Sequence, residues 1–159
     1  MIDLLMRRKK KVTPNKKVRN ATILEYQGIT FKSKLEVHCY KKLKEANIKF
    51  QYEMVKYELM PSFKFENESY ELYKKKGERY FGPQRQTIRA ITYTPDFVGI
   101  HNGHPFVIET KGNPNDAFPL RWKLFKRYLY ETNNRSVLYM PRNQKQIEEV
   151  VELIKNIGK

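Results

Sequence analysis

One stretch, Thr92–Gly112 (TYTPDFVGIHNGHPFVIETKG), constrains the chain more than any other. His101-Asn102-Gly103-His104 predicts a hairpin with a two-residue loop, because both loop positions need positive φ and Asn-Gly adopts it at least cost. With Asn102 and Gly103 as the loop, His101 faces His104 and Asp96 falls opposite Glu109. Opposed Cβ atoms lie roughly 4.5 to 5.5 Å apart, so two carboxylates there repel unless positive charge stands between them. A divalent cation would remove that penalty. Lys111, two residues beyond Glu109, shares its face by the period of two. Val98, Ile100 and Val107 join that face, while Tyr93, Phe97, Phe106 and Ile108 line the other. Two apolar faces predict a sheet covered on both sides. Acids and a lysine at the end of a buried element point to a site. The plainer alternative is a structural ladder neutralised by Lys111 or a distant arginine at a solvated edge, and a bulge at Pro95 would shift the register by one.

With 159 residues the chain fits one domain around one core. Lys and Arg number 32 against 17 Asp and Glu, a formal charge of +15 that favours a polyanion such as nucleic acid or an anionic membrane surface. No apolar run approaches the roughly 20 residues of a spanning helix, so no membrane insertion is expected. In MIDLLMRRKKK the basic cluster follows the short apolar run, which argues against a secretory signal. Cys39 is the only cysteine, which excludes an internal disulfide and suits a reducing compartment. One Cys and three scattered His make no zinc cluster.

Arg7, Arg8, Lys9, Lys10, Lys11, Lys16, Lys17 and Arg19 stand against Asp3 and are broken by Pro14 and Asn15. They predict a mobile basic arm that touches DNA or simply stays solvated, and a nuclear localisation signal fits the same composition. Thr22 to Phe31 is one strand or an irregular lead-in with Gly28 as punctuation. Ser33-Lys34-Leu35-Glu36 matches a capping box, with Leu35, Cys39, Leu43 and Ala46 on one helical face and Asn47 as a left-handed stop. Taken alone, Glu36 is sufficiently explained as a cap. Ile48 to Leu59 alternates as one half-buried strand ending at Pro61.

Residues 62–90 mix aromatics with Lys74, Lys75, Lys76, Arg79, Arg85 and Arg89. They form either a phosphate-tracking, base-stacking surface or, somewhat better supported, a twisted hairpin extension whose aromatics pack on one another. Asn113 to Asp116 predicts a turn. Leu120, Leu124, Tyr128 and Leu129 predict a helix decorated by Arg121, Lys123, Lys126 and Arg127. Ser136 to Met140 predicts a short buried strand. A last helix from about Gln144 buries Ile147, Val150, Val151 and Ile154. His38, expected at the surface, and His101 and His104 at the turn are read as non-catalytic. Trp122 and the eleven tyrosines are expected to fill the core or a dimer interface.

Collected, Glu36, Asp96, Glu109 and Lys111 suit phosphodiester hydrolysis. Mg²⁺ takes oxygen ligands, commonly one or two carboxylates plus substrate phosphate oxygens, and can orient a phosphate and activate a water. A lysine beside them can position that water.

Thr94-Pro95-Asp96 with Glu109-Thr110-Lys111 resembles the PD-(D/E)xK signature of nucleases that include many restriction enzymes and Holliday junction resolvases. Four segments in order are similar to successive blocks of the junction-resolving endonuclease I family of T-seven-type phages: Phe31 to Glu36, Ala46 to Glu53, Tyr93 to Phe97, and Glu109 to Gly112. Small phage proteins carrying a segment like Arg89 to Phe97 are similar too. The resemblance covers about residues 31–112. It implies an α/β fold, a mixed central β-sheet flanked by helices with a restriction-endonuclease-like nuclease core. It implies metal binding by Asp96, Glu109 and the carbonyl of Thr110, with Lys111 acting on the water and Glu36 as a helix-borne acid aimed at the same site. Cleavage would leave 5′-phosphates, and resolvases of this type are homodimers. Residues 62–90 are longer than the matching connection.

The expectation is therefore a basic, flexible arm over residues 1–28 and a nuclease domain over 29–159, with a basic aromatic insertion at about 62–90. The function expected is a Mg²⁺-dependent endonuclease for branched DNA in the cytoplasm of a bacterial or phage-infected cell, with Mn²⁺ as a substitute. A duplex-cutting or nicking enzyme of the same fold, or a basic DNA-binding module without chemistry, are the alternatives. Arg7, Arg8, Lys9, Lys10, Lys11, Lys74, Lys75, Lys76, Arg79, Arg85 and Arg89 are the expected DNA contacts.

Overall fold

The computed structural model describes residues 23–84, 86–112 and 116–158. At its centre is the Asn-Gly hairpin, β10 (Phe97–His101) with β11 (His104–Ile108). Asn102 and Gly103 take φ of 48° and 80°, and the ladder runs from His101↔His104 to Phe97↔Ile108 in the expected register. Asp96 and Glu109 stand one step beyond the last pair. The other edge of β10 pairs antiparallel with β3 (Phe50–Tyr52), and β11 pairs in parallel with β12 (Val137–Tyr139). The result is a mixed four-stranded sheet in the order β12-β11-β10-β3.

Both faces of the sheet are covered, as two apolar stripes require. One face packs Phe97, Phe106 and Ile108 against α1 (Lys34–Glu45) and α3 (Gln144–Lys155). The other packs Val107 against α2 (Phe118–Glu131), through Phe125 and Leu129. Burial of these side chains, at ~25 cal/mol per Å² of apolar surface, supplies most of the force that holds the helices to the sheet. The turn itself docks on the end of α3, where Asn102 Nδ2 donates to the Ile157 carbonyl at 3.2 Å.

Helix starts follow their caps. Ser33 Oγ accepts from Glu36 N, Asn143 accepts from Gln146 N, and Asn47 ends α1 at a φ of 53°. Helix α3 buries the expected Ile147, Val150, Val151 and Ile154. Helix α2 is rotated from its expected phase. Phe118, Phe125 and Leu129 are buried and Leu120 is exposed, because the aromatics form the larger of the two apolar stripes.

Residues 24–31 form a short hairpin, β1 (Leu24–Tyr26) with β2 (Ile29–Phe31), turning at Gln27-Gly28. Ordered pairing thus straddles the expected boundary at residue 28. The single strand expected over 48–59 is two strands. Glu53, at a φ of 47°, breaks it, and β4 (Tyr57–Met60) pairs instead with β9 (Ile91–Tyr93). The partner chain breaks in step at Thr94 to Asp96. That interruption also moves Tyr93 to the Val107 face, opposite to its expected side. Beyond β4 and β9 the pairing continues through β5 (Phe63–Lys64) with β8 (Thr87–Ile88). It ends in a seven-residue hairpin, β6 (Ser69–Lys75) with β7 (Glu78–Gln84), which turns at Lys76-Gly77. The described residues of 62–90 therefore form a hairpin extension, in which Tyr73 stacks on Tyr80 and Tyr70 tilts against Phe81. Arg7, Arg8, Lys9, Lys10, Lys11 and Arg85 lie outside the described residues, as does most of the turn expected at Asn113 to Asp116. Among the described residues no helix is long and apolar enough to cross a membrane.

Candidate active site

Where the central ladder ends, three carboxylates from three elements approach one another. Asp96 precedes β10, Glu109 and Thr110 follow β11, and Glu36 sits in the first turn of α1. Glu36 and Glu109 are only 6% and 4% exposed. Charged groups rarely reach such burial without compensation, so their hydrogen-bond partners define the site.

Asp96 Oδ2 accepts from both Thr110 N and Thr110 Oγ1, each at 2.7 Å, while its own carbonyl accepts from Glu53 N at 2.9 Å. The break at Glu53 thus fixes the backbone beside the acid. Glu109 Oε1 accepts from Lys111 Nζ at 3.1 Å and Oε2 from the Tyr93 hydroxyl at 2.7 Å. Lys111 Nζ also lies 4.3 Å from the centre of the Phe118 ring, a cation–π contact that steadies it. Glu36 Oε1 accepts from Ser33 Oγ at 2.8 Å, and Oε2 from Lys32 N at 2.9 Å and the Tyr52 hydroxyl at 2.6 Å. The capping relation holds with one change: the glutamate reaches the amide of Lys32 rather than that of Ser33. Glu36 therefore both caps α1 and faces the group.

The electrostatics follow from this packing. Burial pushes the Asp96 carboxyl up to about 8, the charges of Glu109 and Glu36 add to the rise, and the Thr110 hydrogen bonds oppose it. Asp96 thus feels both other acids. Burial likewise raises the Tyr93 and Tyr52 phenols, helped by the carboxylates they serve, so both remain donors. Sequence reasoning assigns these two tyrosines to core or interface filling and misses their hydroxyls. The available signal is that a buried tyrosine needs a partner for its oxygen.

The structure holds Thr110 on Asp96 and Lys111 on Glu109, and sets Glu109 and Glu36 near enough to Asp96 for their charges to act on it. Among the described residues no three His, Cys, Asp or Glu side chains form a ready-made metal cage. The donor set is nevertheless all oxygen, and the charges of Glu109 and Glu36 raise the cost of ionising Asp96. Such a set fits Mg²⁺, which is commonly held by one or two carboxylates and by its substrate's phosphate oxygens. Of the expected DNA contacts within the described residues, Lys74, Lys75, Lys76 and Arg79 gather at the β6–β7 tip, and Arg89 is exposed between β8 and β9. His38, expected at the surface, is half-buried in α1 with Nε2 3.5 Å from Glu148 Oε1.

The molecule is a mixed α/β domain carrying a carboxylate–lysine group at the end of a doubly covered hairpin. A family model described as "Protein of unknown function (DUF1064)" matches residues 16–145, and the chain belongs to this family. No curated protein and no solved structure matches the chain.

Proposed function

We propose that this protein is a Mg²⁺-dependent endodeoxyribonuclease with a restriction-endonuclease-like core of the PD-(D/E)xK kind, acting on branched DNA as a Holliday junction resolvase. The nearness of Glu109 and Glu36 to Asp96, close enough for both charges to raise its carboxyl, with Lys111 on Glu109, in a chain of net charge +15, carries the proposal. A cluster of acids in so basic a chain has a clear use where phosphate must meet a divalent cation. The mixed sheet with helices on both faces supports the same reading.

In this scheme Asp96, Glu109 and the Thr110 carbonyl would hold the ion, with Mn²⁺ as a substitute. When bound, it would supply positive charge for the scissile phosphate and the attacking water. Thr110 orients Asp96 through two donors, Tyr93 orients Glu109, and Tyr52 with Ser33 orients Glu36. Lys111, steered by Glu109 and Phe118, would position the attacking water. Products would carry 5′-phosphates. Paired cuts in a four-way junction call for a homodimer, in the cytoplasm of a bacterial or phage-infected cell.

The test compares a four-way junction with a linear duplex of the same sequence, in Mg²⁺ or chelator, using the native chain and Asp96→Asn. Paired symmetric cuts in the junction alone, absent with chelator and in the variant, are expected. Equal cutting of both substrates would remove junction selectivity and leave a duplex nuclease. A junction that is bound yet stays intact in Mg²⁺ and Mn²⁺ would overturn the catalytic assignment in favour of a binding module.

A further inference from the structure

The β6–β7 hairpin packs chiefly on itself, and most of its residues are exposed. Its register sorts the side chains onto two unlike faces, because successive residues of a strand alternate. On one face Tyr70 pairs with Pro83, Leu72 with Phe81 and Lys74 with Arg79. On the other Glu71 pairs with Gly82, Tyr73 with Tyr80 and Lys75 with Glu78.

The second face is internally satisfied. Tyr73 and Tyr80 stack with ring centres 5.8 Å apart, Tyr80 donates to Glu78, and Gln86 and Ser69 donate to Glu71. On the first face Tyr70 and Phe81 tilt against each other with ring centres 6.4 Å apart, yet Tyr70, Leu72 and Phe81 are 59%, 65% and 73% exposed, a row of large apolar side chains left largely to water. Charge on this face within the strands is purely positive, since both acids of the strands lie on the other side. The nearest acid is Glu68, just before β6, which accepts from the Tyr70 hydroxyl at 3.5 Å.

An apolar row ending in two paired cations fits a ligand with flat apolar faces and an anionic backbone. Unstacked nucleic-acid bases provide both: aromatic and aliphatic side chains cover the base faces while Lys and Arg meet the adjacent phosphates. In a continuous duplex those faces are already stacked. At a branch point they are available. We infer that the Tyr70–Leu72–Phe81 face of this hairpin covers bases exposed at a DNA branch, with Lys74 and Arg79 on the flanking phosphates. This rests on the proposal that the protein acts on DNA, and it names the element that would read the branch.

The test uses the full chain in chelator, so that binding is read without cleavage. A junction and a duplex each carry 2-aminopurine, in the junction at the branch, and the proteins are the native chain, Leu72→Ala/Phe81→Ala and Phe81→Trp. All three changes lie on exposed positions outside the catalytic group. The native chain is expected to change the branch fluorescence. The double variant should lose that change and about tenfold in junction affinity, with duplex affinity within about twofold, at the scale of one stacked base. Phe81→Trp should retain both. Equal binding of both DNAs by native and double variant would overturn the inference while leaving the nuclease proposal standing. If light scattering shows that the double variant dissociates a dimer, and junction binding falls with it, the face belongs to a second copy and the inference is also overturned. A native chain that binds neither DNA would fail the underlying proposal itself.

Discussion

Replacing Asp96 by Asn separates the electrostatic cost of the site from its shape. Both donors from Thr110 reach the same oxygen, Oδ2, so an amide oxygen can take its place and the amide nitrogen can occupy the Oδ1 position. The hydrogen bonds are kept and the charge is removed. In the native protein the carboxyl titrates at about 8 rather than at its ordinary 3.8, because of burial and the neighbouring Glu109 and Glu36. Between those values the folded chain holds a proton that the unfolded chain has released, so stability falls as pH rises through the window. At ~1.4 kcal/mol per pH unit the fall is about 6 kcal/mol at most, complete once pH passes the folded value. Urea unfolding in chelator from pH 5 to pH 9 measures it as the difference between Asp96→Asn and the native chain, which cancels the titration of groups that do not interact with Asp96. The variant's advantage over the native chain should grow by about 4 kcal/mol between pH 5 and pH 9, most of it below pH 8. Mg²⁺ should narrow that gap by stabilising the native chain alone. A difference that stays flat across the range would refute the coupling of the three acids.

Three further outcomes rest on single side chains or pairs. A Cβ at Gly99 would stand 2.4 Å from the Lys49 carbonyl and 2.5 Å from the Phe106 ring, so Gly99→Ala should cost about 1–3 kcal/mol by overpacking, read as a lower urea midpoint. Thr110→Val removes the hydroxyl that holds the Asp96 carboxyl down while leaving the amide donor, so the pH dependence of cleavage should move to higher pH. An unchanged profile would show that the hydroxyl does not matter. Lys74→Ala/Arg79→Ala should lower the slope of log affinity against log salt by roughly 2, about one for each phosphate no longer neutralised. A slope equal to that of the native chain would remove both residues from the interface.

Local rules were legible where one segment supplied the whole signal. Asn102-Gly103 predicted its turn and through it the register of the hairpin, and Ser33 with Glu36 predicted the start of α1. The apolar stripe of α3 was equally plain. Failures came where a distant partner decides. Glu53 adopts a positive φ that no glycine announces, because its amide meets the Asp96 carbonyl and the two strands change partners there together. The same interruption reversed the face of Tyr93, since alternation can be counted only along an unbroken strand. In FPLRWKLFKRYLYE two apolar stripes compete, and only packing against Tyr57 and Tyr93 selects the one containing Phe125. The phenol partners of Glu36 and Glu109 lie sixteen residues away in sequence in both cases, and periodicity does not register such a pairing.

How the acids are held bears on what they are for. A chain with 32 basic residues has ample cations to neutralise two buried carboxylates and a half-buried one, yet hydrogen bonds hold most of the group. Asp96 receives the neutral donors of Thr110, and Glu36 those of Ser33, Lys32 N and Tyr52. Among the described residues only Glu109 of the three meets an ammonium, that of Lys111, and it shares the carboxylate with a phenol. Neutral donors fix direction while leaving charge uncancelled. Fully ionised, the three acids outnumber the one ammonium hydrogen-bonded to them, and the Lys32 ammonium that acts on Glu36 and Asp96 is itself bonded to Glu53. For a module that only grips DNA, such a group is a liability twice over, because it costs stability as pH rises and repels phosphate. A nuclease instead gains a place where a cation and a phosphate can be brought together.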